Sequence, residues 1–296
     1  MFQVSVIIPV YNAVNFIERA VESVVLQKGV GEIILIDDAY PDGALEVCKT
    51  LESKYAIVKL IQHPNAENRG AGASRNLGIQ NARFDYIAFL DADDYYLPDR
   101  FTITEQRFSR YPNIDGVYEP VGTHYENEKA KITFSKWKGI PLSEASGFIT
   151  YPNLEKSGRS FFEGLIEGVI SYPHLNGITV KRAIFNRTSL FEDSLKLHQD
   201  TELLIRLIYV GSFIPGERDH MVANRVVHSE NRIATLDFSS RFQLTQKLYS
   251  WAKRENLPQG YINIFKKRYI IAKTRCVFKS NSIFVKIVYN ILSRIL

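Results

Sequence analysis

The hydrophobic positions of the N-terminal hundred residues fall into short runs separated by stretches with helical spacing. Val4-Ser5-Val6-Ile7-Ile8-Pro9-Val10 is rich in β-branched residues and predicts a first, buried strand. Pro9 is expected at its end, because proline cannot donate to a central ladder. From Asn15 to Gln27, Phe16, Ala20 and Val24 recur with Ile17, Val21 and Val25, which predicts a helix with Asn15 as its N-cap. Glu32–Ile36 is a second apolar strand, followed by Asp37-Asp38 and a Pro41-Asp42-Gly43 turn. A helix over 44–54, a strand over 57–61, a helix over 71–82 and a strand over 85–90 complete the series.

This alternation predicts an α/β fold with a mostly parallel, Rossmann-like sheet flanked by helices. Right-handed crossovers bring the strand ends to one edge, which gathers Pro9-Val10-Tyr11-Asn12, Asp37-Asp38 and Asp91-Ala92-Asp93-Asp94. Ligands bind at that edge in open α/β sheets. Three acids directly after an apolar strand are a solvated turn or, where they converge with other polar strand ends, a cation site.

Beyond Pro98 the pattern loosens. A helix is expected over 100–110, a strand within 116–125, and irregular chain over 126–170. A short strand over 176–180 before a helix from Lys181, a helix over 201–210 and a strand over 221–227 follow. From about Phe238 the pattern is helical, with a break at Pro258-Gln259-Gly260.

Composition adds two constraints. Hydrophobic residues at 45% and charged residues at 23% exclude a disordered chain. Two distant cysteines, Cys48 and Cys276, fit neither a zinc nor a redox spacing and suggest a reducing, cytoplasmic setting. No signal peptide or spanning run is visible. The net charge of +5 is uneven: from Arg241 onward there are 12 basic residues against one acid, Glu255, while residues 1–240 carry 25 basic and 31 acidic. Such a tail favours an anionic partner. No nucleic-acid recognition motif accompanies it, so nucleic acid is not expected.

Five segments in order resemble glycosyltransferase family 2 with the GT-A fold, of the kind that builds bacterial polysaccharide or lipopolysaccharide. They are Val4 to Asn12; Ile36-Asp37-Asp38 with Asp42-Gly43; Asn68-Arg69-Gly70 leading to Ala73-Ser74-Arg75-Asn76-x-Gly78; Phe89-Leu90-Asp91-Ala92-Asp93-Asp94; and Gln199-Asp200-Thr201-Glu202-Leu203. The resemblance implies a nucleotide-sugar-binding half over 1–100, an acceptor-binding and catalytic half over 101–235, and a basic helical extension over 236–296. It places the nucleotide on Pro9, Tyr11, Asp38 and Arg75, although Arg75 could equally pair with Asp37 or Asp38. It gives the Asp-x-Asp segment, Asp91, Ala92, Asp93 and Asp94, to the donor diphosphate.

Asp91 and Asp93, with His228, are then the expected ligands of Mn²⁺ or Mg²⁺, since hard oxygen donors suit these ions. Asp94 completes the site or positions sugar hydroxyls, and Arg232 is a lesser phosphate candidate. Asp200 is the expected catalytic base; many relatives carry Glu-Asp where this chain has Gln199-Asp200. UDP is the donor nucleotide that family habit favours, and the acceptor is a saccharide or a lipid-linked sugar. The Gln-x-x-Arg-Trp motif of processive synthases is absent, which suggests addition of a single sugar. The competing readings are a sugar-nucleotide nucleotidyltransferase, which should carry a Gly-rich basic loop near 12–19, and a nucleotide-binding scaffold without activity. A phosphatase with a nucleophilic Asp-x-Asp would place that motif after the first strand.

Residues 282–296 have Ile283, Phe284, Ile287, Val288, Ile291, Leu292 and Ile295 on one helical face. Fifteen helical residues reach only ~22 Å, short of the ~30 Å of bilayer hydrocarbon. The segment either lies on an anionic leaflet at the inner face of the cytoplasmic membrane or packs on the catalytic domain or a second subunit, as in a homodimer. Truncation at residue 281 separates these. Loss of co-sedimentation with anionic liposomes is the expected result for the leaflet, and unchanged sedimentation rules it out.

Overall fold

The computed structural model describes residues 1–152, 160–228, 231 and 238–278. In chain order the elements are β1 (Val4–Val10), α1 (Ile17–Val25), β2 (Val30–Asp37), α2 (Ala44–Lys54), β3 (Val58–Gln62), α3 (Gly70–Asn81), β4 (Tyr86–Phe89), β5 (Tyr95–Tyr96), α4 (Thr102–Arg110), β6 (Gly116–Tyr118) and β7 (Val121–Tyr125). There follow α5 (Glu128–Lys138), α6 (Leu142–Ala145), α7 (Phe161–Glu167), β8 (Ile178–Lys181), α8 (Gln199–Val210), β9 (Phe213–Pro215), β10 (Ala223–Val227), α9 (Phe238–Arg254) and α10 (Gln259–Phe278).

The main sheet has the order β3-β2-β1-β4-β8-β6-β9. Strands β3, β2, β1 and β4 are parallel, and β8 runs antiparallel to both β4 and β6. A smaller sheet, β5-β10-β7, lies beside the main one. The expected α/β architecture with a mainly parallel sheet is therefore present.

Strand periodicity divides the core in two. Val4, Val6, Ile8 and Val10 of β1, with Ile33 and Leu35 of β2, meet Ile17, Ala20, Val21 and Val24 of α1 and Cys48 and Leu51 of α2. The alternate residues Ile7, Ile34 and Ile36 face the other layer with Ile79 of α3 and Leu203, Leu204 and Leu207 of α8. Both faces of β1 and β2 are covered, which is why these strands read as continuous apolar runs. Leu248, Trp251 and Phe265 of α9 and α10 belong to that same second layer, with the Trp251 ring 5.5 Å from Tyr209. Among the described residues, no helix is long and apolar enough to cross a membrane.

Several expectations are corrected. The N-cap of the first helix is Phe16, not Asn15, and the amides of Phe16 and Ile17 both turn back to the Ala13 carbonyl. The strand expected within 116–125 is two strands in different sheets, broken at Glu119-Pro120, where the proline has no amide to donate. The span 126–170 is not simply irregular. Asn127 caps α5 through its side chain to the Ala130 amide at 2.9 Å, and Gly139 ends that helix at φ +68°. Ser160 and Glu163 form a capping box on α7, ended by Gly168 at φ +74°. The helix expected from Lys181 is a 3-10 turn, Arg182–Asn186. Residues 282–296 and Arg232 lie outside the described residues.

Helix α3 lies close on β1. A Cβ at Gly78 would sit 2.4 Å from Cγ2 of Ile7. Gly78→Ala should therefore destabilise the fold by about 1–3 kcal/mol, read as a lower urea midpoint, and an unchanged midpoint would contradict this packing.

Candidate active site

Five segments meet at the carboxyl edge of the main sheet. The end of β1 brings Pro9, Tyr11 and Asn12; the end of β2 brings Asp38; α3 brings Ala71 and Arg75; the turn after β4 brings Asp91 to Asp94; and the chain after β10 brings His228 and Asn231, with Arg225 from β10 itself. They enclose a cavity of about 280 Å³. Pro9, Tyr11, Asp38, Arg75, Asp91, Ala92, Asp93, Asp94 and His228, all singled out from the sequence, line it.

Pro9 shows why a cleft opens here. The Ile7 carbonyl accepts from the Leu90 amide at 3.1 Å, whereas the Val10 carbonyl accepts from the Asp38 amide at 2.9 Å. Odd-numbered residues of β1 thus direct their backbone groups toward β4 and even-numbered ones toward β2. Pairing with β4 ends at Ile7 opposite Phe89, while pairing with β2 continues to Val10 opposite Asp37. The amide that Pro9 lacks would point to where β4 has already left. Tyr11 stands at the same strand end with its ring 4.5 Å from that of Tyr40.

Asp38 has a structural duty. Its carboxylate accepts from the Arg69 amide at 2.7 Å and the Gly70 amide at 2.9 Å, where an acid is favoured at the start of α3. Asp37 accepts from Gln62, and Asp42 accepts from the Val14 and Ala44 amides. Arg75 pairs with neither Asp37 nor Asp38. It donates to Asp91 at 2.5 Å, with its guanidinium carbon 5.5 Å from the Phe191 ring. The arginine lies more than one helical turn beyond the Asp38 anchor, which carries it to the acidic turn.

The acidic turn is held from three sides. Asp94 accepts from the Val226 amide at 2.7 Å and from Nδ2 of Asn176 at 2.6 Å. The Asn176 Oδ1 accepts the Asp91 amide at 3.2 Å. Asp93 accepts from Asn231 at 3.1 Å and lies 3.0 Å from Nε2 of His228, and its carbonyl accepts from Arg19. Burial, reinforced by the carboxylates of Asp93 and Asp91, pushes the Asp94 carboxyl well above the usual range. Burial also pushes Asp91 up, but the Arg75 guanidinium, with neighbouring positive charge that includes Arg225, outweighs this and holds it low. Burial and the nearby Arg225 bring His174 down to about 4, so its imidazole is neutral at physiological pH.

The donor atoms that converge are those of Asp91, Asp94 and His174, within 4.8 Å of one another. Two carboxylates and a neutral imidazole suit a divalent ion. Asp93 and His228, which the sequence reading names as ligands with Asp91, lie 3.0 Å apart beside this set.

Asp200 lies in the first turn of α8, exposed, accepting from the Thr201 amide at 2.7 Å. It does not line the 280 Å³ cavity, but its charge reaches His174, which ties it electrostatically to the acidic turn. Gln199 is buried; its side chain donates to the Leu195 carbonyl and packs on Gly72 of α3. Behind Asp200, the buried Glu202–Arg206 pair at 2.7 Å anchors α8, with Arg206 also donating to the Leu190 carbonyl.

A family model described as glycosyl transferase family 2 matches residues 5–162, more than half of the chain. The chain belongs to that family. An uncharacterized glycosyltransferase of Rickettsia conorii is 37% identical over 139 residues, 47% of this chain and 22% of the relative. The minor teichoic acid biosynthesis protein GgaA of Bacillus subtilis is 26% identical over 225 residues, 72% of this chain and 46% of GgaA. The chain thus spans less than half the length of either family relative. Among solved structures, S. aureus TarS in complex with UDP-GlcNAc superposes with a TM-score of 0.62 at 15% identity, covering 92% of this chain and 72% of that one. A Pyrobaculum calidifontis mannosyltransferase in complex with GDP-Man and Mn²⁺ gives 0.55 at 14% identity, covering 99% and 79%. These likenesses establish the family fold.

Family motifs led to the cavity, but His174, Asn176, Arg225 and Asn231 carried no signal of their own. They are brought in beside β8 and β10 from far along the chain. The electrostatics give a direct test. Because Asp94 holds its proton more tightly folded than unfolded, its contribution to stability is present at low pH and is lost as pH rises through its raised folded value. In chelator, Asp94→Asn should therefore gain stability over the native chain as pH rises above the ordinary carboxylate value of about 4. Denaturation curves that keep the same separation at every pH would rule out a raised Asp94.

Proposed function

We propose that the chain is an inverting glycosyltransferase that moves a single sugar from a nucleotide-sugar, a UDP-sugar by preference, to a hydroxyl of a saccharide or lipid-linked acceptor. The observation that carries this reading is the convergence of Pro9, Tyr11, Asp38, Arg75 and Asp91 to Asp94 on one cavity at the sheet edge. The nucleotide-sugar complexes of TarS and of the Pyrobaculum mannosyltransferase support the donor class, and the teichoic acid role in GgaA's name supports a cell-surface polymer as product.

In this reading Pro9 and Tyr11 flank the base. Arg75 and Arg225 face the diphosphate, where charge builds on the leaving group. Asp91, Asp94 and His174 would hold Mn²⁺ or Mg²⁺, whose chemistry is to neutralise that charge; Asp93, positioned by His228 and Asn231, backs the set. Asp200 accepts the proton of the acceptor hydroxyl as its oxygen bonds to the anomeric carbon and the bond to the nucleoside diphosphate breaks. A single displacement inverts the anomeric centre. We place the enzyme at the cytoplasmic face of the membrane, with 282–296 as its contact.

Asp200→Asn should keep nucleotide affinity and lose transfer by about 10²–10⁴-fold, measured as released nucleoside diphosphate in a donor screen with and without Mn²⁺ or Mg²⁺. Undiminished transfer removes Asp200 as the base. Nucleotide binding with no transfer by the native chain to any acceptor supports the scaffold reading.

A further inference from the structure

A second cavity, of about 740 Å³, begins where the first turn of α8 ends. Thr201, directly after Asp200, is in its wall with His198 and Tyr172, and the far side is built by α9 and α10. Asp200 therefore stands in sequence between two lining residues of this cavity, His198 and Thr201, while its charge reaches His174.

The lining is cationic. Arg241, Arg268 and Arg275 all contribute, and among the described lining residues there is no carboxylate. Arg268 is fixed in place, donating to the Tyr172 hydroxyl and to the Leu165 carbonyl, both at 3.3 Å. The Nε of Arg275 is buried and has no hydrogen-bond partner among the described residues. Leaving a buried donor of a charged group unmade is costly, and a bound anion would satisfy it. Guanidinium forks match phosphate oxygens in pairs. Three of them in one concave site oppose a multiply charged anion better than a single carboxylate.

We propose that this cavity binds the phosphate of a phosphorylated acceptor, a diphosphate or phosphodiester, and so presents the neighbouring sugar hydroxyl to Asp200. The assignment rests on the transferase reading above for the acceptor's role, but the binding of phosphate does not. The excess of basic residues after Arg241 adds a field that draws such an acceptor in.

The test uses the full chain in chelator with UDP at saturation, so that the donor cavity is filled, and inorganic pyrophosphate as the probe in calorimetric titration. Pyrophosphate should bind the native chain, more weakly as salt rises. Arg268→Gln and Arg275→Gln should each weaken it by about tenfold, the size of one charge-assisted hydrogen bond, with UDP affinity unchanged. Arg275→Lys keeps charge and bulk while removing the Nε donor, and should show a smaller loss with the same UDP affinity. Equal pyrophosphate affinity in all four chains overturns the proposal. So does binding of all four to phosphatidylglycerol vesicles in proportion to their arginines without any binding of pyrophosphate, which would assign a lipid headgroup instead. Should no donor sugar be transferred, the transferase reading fails while the pyrophosphate result stands or falls by itself.

Discussion

The site depends on one buried charge. The Arg100 guanidinium is wholly inaccessible to solvent and forms an ion pair with the equally buried Glu119. It also donates to the Asn176 carbonyl at 3.3 Å and 3.2 Å, and Thr104 completes the Glu119 carboxylate at 2.8 Å. Breaking such a pair by removing one partner typically costs about 3–5 kcal/mol. What the pair holds is the turn carrying Asn176, and Asn176 is the residue whose amide group grips both Asp91 and Asp94. Geometry at the acidic turn is thereby inherited from a charge pair that never meets the ligand.

That arrangement divides labour between layers. The apolar layers around β1 and β2 fix where the strands end, and the polar layer behind β4 fixes how the acids point. Asp38 tethers the start of α3 and Arg75 bridges the same helix to Asp91, so one helix is pinned both at the end of β2 and at the acidic turn. On the far side, α8 presents Asp200 on a helix whose own buried ion pair keeps it in register with the chain before it. The acidic turn, Asp200 and the cationic cavity are thus carried by separate elements that share the second core layer.

Much of this was legible in the sequence, because β1 to β4 alternate with helices and their apolar runs need no distant information. Much of the cavity lining was legible for the same reason: Pro9, Tyr11, Asp38 and Asp91 to Asp94 stand at or directly after the ends of those runs. What was hidden depends on long-range pairing. Antiparallel β8 brings Asn176 and His174 to the acidic turn from more than 80 positions away, and nothing local marks either residue. Glu119, read as part of one strand, is the point where the chain leaves one sheet for another. Capping signals did exist at Asn127, Gly139 and Ser160-x-x-Glu163, but low hydrophobic periodicity between them masked the helices. Arg75 was ambiguous because helical phase decides its partner, and a sequence does not give the height of a helix above its sheet.

Pro9 carries a last implication. Because its nitrogen bears the ring, Pro9 cannot donate the next hydrogen bond from β1 to the chain leaving β4 once Ile7 is passed. The gap between those strands is written into covalent structure and needs no guest to prop it open. A cavity framed this way is shaped before any ligand arrives, and little of a ligand's binding energy would be diverted into prising strands apart.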